Sequence, residues 1–165
     1  NISFEKYGET YLGFDYGHGL ATNNPKFGLL TLRWDKFKQI GDDKLVFSFK
    51  TGLASATTPF SYQFKAGGYN DLPFRGTGFD LAGTKYLIGN TEYQKVIIED
   101  QVLVIGFLDT GKVIPADSNF GTEDWKLDAG GGLAVITPLG PARADVGVDL
   151  LADGYEFNVG FGHTF

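Results

Sequence analysis

The sequence contains no cysteine, which excludes disulfide bridges and thiolate metal sites. It also has no run approaching the roughly 18 apolar residues that a membrane-spanning helix needs. Acidic residues outnumber basic ones and the net charge is -6, so no basic stripe is available to neutralise phosphates. Nucleic acid is therefore not expected as a partner. A membrane β-barrel remains possible, because its strands are short and alternate in polarity.

The sequence instead shows apolar residues that alternate with small or polar ones, and this pattern is clearest at the C-terminus. Tyr155, Phe157, Val159 and Phe161 are separated by small or polar residues, and the chain ends on Phe165. A period of two indicates a strand with one apolar face. We interpret this segment as the closing strand of an outer-membrane β-barrel. The 24 glycines and the 15 % of aromatic residues are typical of such a barrel.

About eight alternating segments are predicted in a single domain over residues 1–165. They lie near Thr10–Leu20, Phe27–Ile40, Lys44–Ser55, Lys85–Ile98, Gln101–Val113, Trp125–Thr137, Ala142–Leu151 and Tyr155–Phe165. Short connections alternate with longer ones, as in barrels with short periplasmic turns. The predicted fold class is all-β: an antiparallel eight-stranded transmembrane β-barrel of the bacterial outer membrane, with a long loop between strands 3 and 4.

A soluble β-sandwich or lipocalin-like barrel would show the same alternation. One face of the predicted strands carries the charges Asp15, Arg33, Asp35, Lys50, Arg143, Asp145, Asp149 and Glu156. A soluble barrel would turn these side chains outward and a membrane barrel would turn them inward, so parity alone does not decide. The aromatic residues that end the apolar faces, together with Phe165, favour the membrane barrel.

Five motifs occur in order over residues 67–165. They are Leu72–Gly78 with its Arg75-Gly76 pair, Leu87–Tyr93, Phe107–Gly111, Gly130–Pro141 and the terminal strand ending in Phe165. This set resembles the bacterial surface antigen or outer-membrane assembly-factor superfamily, which includes barrel-assembly and two-partner-secretion transporter barrels. The chain is similar to a short form of that family without periplasmic domains.

The resemblance implies a locked loop. In the family the loop folds into the lumen and its arginine docks on acidic residues of the wall, which here assigns Arg75 and Gly76 to Glu92 and Asp109. The chemistry is suitable, since a guanidinium can bridge two carboxylates with its fork of donors. The alternative is that Arg75 is a solvated loop residue. Glycines on the presumed lumen face, Gly130 and Gly132 among them, are expected to make room for the loop.

The resemblance also implies that the terminal strand is a sorting signal, read by the barrel-assembly machinery during biogenesis. Its residues are Tyr155, Phe157, Val159, Phe161 and Phe165. Barrels of the family have sixteen strands, so this chain corresponds to the C-terminal half. It could be a complete small barrel, a half that pairs with another chain, or a fragment. The even strand count and a seam between the first and last strands favour the complete barrel.

No catalytic residue, metal ligand or cofactor is predicted. His18 and His163 fall near opposite membrane edges and are expected to be interfacial anchors. An eight-stranded barrel holds little more than side chains, so we expect a plugged lumen and no polypeptide passage. The prediction is a non-enzymatic barrel with a structural or assembly-related role, surrounded by outer-membrane lipids. The alternatives are a homodimeric or partner-completed barrel that transports protein, lipid or small solutes, and a lipid-acting enzyme.

Overall fold

The structure is a computed structural model that describes residues 8–17, 27–68, 72–78, 81–99, 101–118, 121, 124–138 and 140–161. Its strands are β1 (Gly8–Gly17), β2 (Phe27–Ile40), β3 (Asp43–Ala54), β4 (Phe64–Ala66), β5 (Leu81–Gly83), β6 (Lys85–Ile98), β7 (Val102–Ile114), β8 (Lys126–Thr137), β9 (Gly140–Asp149) and β10 (Gly154–Phe161). A short 3-10 helix spans Phe60–Tyr62. Among these residues no helix is long and apolar enough to cross a bilayer. The all-β prediction is confirmed.

Eight of the strands form one antiparallel sheet in the order β1-β2-β3-β6-β7-β8-β9-β10, and β4 pairs with β5 alone. The strands of the large sheet follow one another in chain order once β4 and β5 are set aside, and tight turns join β2 to β3 and β6 to β7. Gly41 makes the first of these turns with a φ of 64°, which favours glycine. The predicted fourth strand, Lys85–Ile98, coincides with β6.

The polarity of the two faces of this sheet is the reverse of that in a soluble protein. One face buries charged side chains, namely Asp35, Lys50, Glu92, Asp109, Asp128, Arg143, Asp145 and Asp149. The opposite face exposes large apolar side chains, among them Trp34, Phe49, Leu108, Leu133, Val148 and Phe157. A soluble barrel hides its apolar face, whereas a membrane barrel presents it to lipid. The question that parity left open is therefore answered for this sheet: the charged face points inward and the apolar face points outward.

The long connection between β3 and β6 folds over the polar face, and we call it the inner loop (residues 55–84, described at 55–68, 72–78 and 81–84). Its apolar side chains pack with residues of β6 and β7 in one cluster. The cluster contains Phe64, Ala66, Leu72, Phe74, Leu81, Tyr86, Ile88 and Val113. The inner loop and the sheet thus share one small apolar core, which fixes the place of the loop on the sheet.

The sheet does not close into a barrel, which corrects the expected seam between the first and last strands. Over the described ranges β1 pairs only with β2, and β10 pairs only with β9, so both are edges. A closed eight-stranded barrel has room inside for side chains only. Here the polar face also carries the inner loop with its own two-stranded ladder. Over the described residues the sheet stays open around this loop.

The sheet nevertheless curves around the inner loop. Arg75 bonds to Glu92 on β6 through its guanidinium and to Asn158 on β10 through its carbonyl oxygen. In a flat sheet β6 and β10 would be about 19 Å apart, which is too far for one residue to span. The strands from β6 to β10 therefore bend into a trough, and the inner loop lies in it.

Candidate functional site

The centre of the candidate site is Arg75 of the inner loop. Its Nε and Nη2 donate to the two carboxylate oxygens of Asp109 at 2.8 and 2.6 Å, and its Nη1 donates to Glu92 Oε2 at 2.6 Å. The guanidinium also stacks on the ring of Phe107, 3.7 Å from the centroid. The side chains of Arg75, Glu92 and Asp109 are at most 1 % exposed. The structure thus brings together the three residues that the resemblance paired, and the solvated alternative does not hold.

The strand register explains why these groups meet. Asp109 on β7 lies directly opposite Asn90 on β6, and Glu92 follows two residues later on the same inward face. Asn90 Nδ2 donates to Asp109 Oδ1 at 2.9 Å and to the carbonyl oxygen of Pro73 at 3.1 Å. The side-chain amide of Asn90 therefore orients the carboxylate of Asp109 and also holds the loop backbone that leads to Arg75.

Burial alone would lower the pKa of the Arg75 guanidinium. The hydrogen bonds and charge of Asp109 and the charge of Glu92 outweigh burial, so the pKa of Arg75 lies above its usual value. The guanidinium stays charged, and its forked contact with Asp109 is a permanent ion pair rather than a group that exchanges protons. A contact of this kind can hold the inner loop in a fixed position on the sheet.

The contacts between the inner loop and the sheet continue along a row of three aspartates. Asp109 on β7 lies opposite Asp128 on β8, which lies opposite Asp149 on β9. Like charges directly opposite one another destabilise a sheet. Next to Arg75, the backbone N–H of Gly76 donates to Asp128 at 2.7 Å, and the hydroxyl of Thr77 lies 3.1 Å from Asp128 and 3.4 Å from Asp149. Three successive loop residues therefore supply donors to three successive strands.

A second arginine lies in the wall itself. Arg143 on β9 donates through Nη1 and Nη2 to both oxygens of Glu92, at 2.9 and 2.8 Å, and through Nε to Asp145 at 2.6 Å. Glu92 is consequently held between two guanidiniums, and its forked partner is Arg143 rather than Arg75. From the sequence Arg143 could be placed only on the charged face, since its pairing with β6 depends on curvature that no sequence pattern encodes.

Two further site residues were missed, and each had a signal in the sequence. Asp128 alternates with Gly130 and Gly132, so parity places it on the same polar face, where it lies opposite Asp149. Asn158 alternates with the apolar residues of the terminal strand, and its amide donates to the carbonyl oxygen of Arg75 at 3.1 Å. A count of inward polar side chains on every strand would have found both.

The loop backbone lies directly on the backbone of β9. A Cβ atom at Gly147 would lie 2.3 Å from the carbonyl oxygen of Arg75, and one at Gly76 would lie 2.3 Å from the carbonyl carbon of Val148. Neither distance is possible for a real side chain, so glycine at both positions permits the contact. Gly147 was not among the glycines expected to admit the loop.

The expected role of Gly130 and Gly132 is corrected in one respect. A Cβ at Gly130 would lie 2.1 Å from the carbonyl oxygen of Val146 and 2.5 Å from the ring of Phe107, and one at Gly132 would lie 1.8 Å from the carboxylate of Asp145. These glycines make room for backbone and side chains of the neighbouring strands rather than for the loop. Their effect on the lock is indirect, because Phe107 carries the guanidinium of Arg75.

The predicted sorting signal lies on β10. Tyr155, Phe157, Val159 and Phe161 are 62–82 % exposed on its apolar side. Phe165, like His18 and His163, lies outside the described residues, and the signal role stays a prediction. Among the residues that the structure does describe, no group of three histidine or acidic side chains is placed to hold a metal ion.

Comparison with known proteins agrees with these motifs. The family model of the Omp85 superfamily domain matches residues 8–165. No curated protein matches the chain. The match includes every strand of the sheet and the whole inner loop with Arg75, Glu92 and Asp109. The resemblance to the surface antigen or assembly-factor superfamily is thereby confirmed, and this is a family of outer-membrane assembly and secretion barrels. The chain belongs to the Omp85 superfamily.

Proposed function

We propose that this chain is a non-enzymatic β-barrel protein of the bacterial outer membrane, with a structural or assembly-related role and a lumen plugged by the inner loop. The observation that supports it best is the inner loop fastened to the polar face of a sheet whose other face is apolar. The apolar face would contact outer-membrane lipids, and the polar face would line the lumen.

The plug would have two layers. Phe74 and Ile88 at the centre of the apolar cluster are fully buried, and so is the ionic lock at Arg75, Glu92 and Asp109. A hydrophobic layer resists water and an ion-paired layer fixes position, so together they would close the passage to solutes. For this reason the polypeptide channel of larger family members is not part of the proposal.

Conductance in planar bilayers tests the plug. The wild-type protein should give only small, brief currents. Arg75→Ala should raise the open probability because it loosens the plug, whereas Arg33→Ala should not. Arg33 is the matched control, since its guanidinium is one-third exposed and bonds only to Asp35 on β2 among the described residues. Large, stable pores in the wild-type protein would contradict a plugged lumen.

The open sheet favours a second candidate, in which a partner completes the barrel. Unpaired backbone groups cannot face hydrocarbon, so β1 and β10 need partners in a bilayer. In a sheet of eight antiparallel strands these two edges run in opposite directions. Two copies related by a twofold axis could therefore pair β1 of each with β10 of the other. The resulting wide barrel would suit transport of protein, lipid or small solutes.

The mass of the folded protein in detergent separates the two candidates. A dimer would favour the partner-completed barrel, and a strictly monomeric particle would remove the homodimer. Turnover of phospholipid or lipopolysaccharide by the purified protein would contradict the non-enzymatic proposal. For biogenesis, we expect deletion of Phe165 to slow insertion by the barrel-assembly machinery without changing the fold reached in detergent.

A further inference from the structure

Two lysines lie on the apolar face of β2. Asp35 points inward and is buried, so the even-numbered residues Trp34, Lys36 and Lys38 point outward. All three are exposed. Residues two apart on a strand are separated by about 6.7 Å, so the two ammonium groups can approach a single phosphate.

The neighbouring strands are apolar at the level of these lysines. Lys36 lies opposite Phe47 of β3, and Lys38 lies opposite Leu45. On the other flank β1 begins at Gly8, which lies opposite Lys36 and has no side chain to cover the lysine. The positive charges therefore stand within the edge of the apolar band rather than beyond it.

Neither lysine has an ion-pair partner among the described residues. Asp35 faces inward and accepts from Arg33. Asp43, across the tight turn, is engaged by the hydroxyl of Tyr93 and by the N–H of Val96. Unpaired ammonium groups beside hydrocarbon are unfavourable unless their heads reach the interface or meet an anion there.

We propose that Lys36 and Lys38, with Trp34 and Phe47, form a headgroup site for an anionic phospholipid. The phosphate would bridge the two ammonium groups, and an acyl chain would lie along the two aromatic side chains. Charge complementarity selects the anion, because juxtamembrane lysines attract acidic lipid. The site lies at the short-turn end of the sheet, which is periplasmic in barrels of this kind, so phospholipid is its occupant. The inference rests on the proposed membrane placement of this face.

Trp34 provides the probe. The chain has two tryptophans, and Trp125→Phe leaves Trp34 as the sole reporter. The protein is folded into vesicles that contain brominated phosphatidylcholine or brominated phosphatidylglycerol. Quenching by brominated phosphatidylcholine is expected if the face lies in lipid, and its absence would count against the proposed function itself. Quenching that requires a lower mole fraction of brominated phosphatidylglycerol than of brominated phosphatidylcholine would support the headgroup site. Each lysine should contribute roughly fivefold to this preference for phosphatidylglycerol.

Charge variants isolate the site. K36Q/K38Q should abolish the preference for phosphatidylglycerol, and K36R/K38R should keep it. The matched control is K65Q/K95Q, which removes the same charge from two other exposed lysines and should keep the preference. If K36Q/K38Q does not insert, K36Q and K38Q singly should each lower the preference about fivefold. Preference retained in K36Q/K38Q, or lost equally in the control, overturns the proposal. Stronger relief of quenching by lipopolysaccharide than by unlabelled phosphatidylglycerol overturns it as well.

Discussion

Replacing Arg75 with alanine should release the inner loop and leave the sheet folded. The substitution removes both bonds of the fork to Asp109, the bond to Glu92 and the stacking on Phe107. Breaking a buried ion pair by removing one partner costs roughly 3–5 kcal/mol. The cost belongs to loop docking, because the hydrogen-bonded ladders between the large strands do not involve the Arg75 side chain.

The structure places the expected cost at the lower end of that range. Without the guanidinium, Asp109 still accepts from Asn90, and Glu92 keeps both bonds to Arg143. The carboxylates therefore stay partly satisfied inside the wall. We expect a loss of about 3 kcal/mol in docking free energy, which raises the population of the released loop roughly 100-fold.

Trypsin cleavage measures this population. Lys65 and Arg75 are the only trypsin sites between residues 55 and 84, so in Arg75→Ala cleavage of the inner loop reports on Lys65 alone. Lys65 is paired with Ala82 in the β4–β5 ladder, and cleavage requires that ladder to open. When opening is fast relative to cleavage, the rate follows the open population and should rise roughly 100-fold.

Two variants calibrate the result. Arg75→Lys keeps the charge but not the fork, so its cleavage rate should lie between those of the wild type and Arg75→Ala. Arg33→Ala removes a one-third exposed guanidinium from β2 and should leave cleavage at Lys65 unchanged. An unchanged cleavage rate in Arg75→Ala would refute the lock, and loss of the sheet together with the loop would refute its local character.

Three further substitutions probe other parts of the design. Gly147→Val should undock the loop as Arg75→Ala does, because the new side chain occupies the path of the loop backbone. Gly106→Val is the control, since a Cβ atom at that position meets nothing within 4 Å. Trypsin cleavage at Lys65 measures both variants. Arg143→Ala should lower the free energy of unfolding by roughly 3–5 kcal/mol in urea titrations, and a small effect would mean that Arg75 alone satisfies Glu92. Leu133→Arg should cost about 2–4 kcal/mol in vesicles if this face is at mid-membrane depth, and a neutral result would place it elsewhere.

Local patterns predicted much of the fold. Alternation with a period of two is written into each strand, so the predicted segments match the observed strands to within a few residues, and β6 matches at both ends. Which of the two faces points inward could not be read from any single strand. Parity sorts side chains into two faces, but only the inner loop covering one face shows that the charged side is the interior.

The candidate site was predicted in part. Arg75, Glu92 and Asp109 came from a resemblance of motifs, and the structure places all three in contact. Arg143 was missed because its contact with Glu92 spans 51 residues and skips two intervening strands. A contact of that kind requires curvature of the whole sheet.

The sequence by itself determined the strands, their order and the separation of polar from apolar residues, because these follow from short-range alternation and tight turns. Only the tertiary structure decided that the sheet stays open. Whether β1 meets β10 depends on how far the whole sheet curves around the inner loop, and no single strand encodes that curvature. The same packing decided that one glutamate lies between two arginines and that three aspartates share the donors of three loop residues. These are long-range contacts, and they form only once the sheet has curved around its loop.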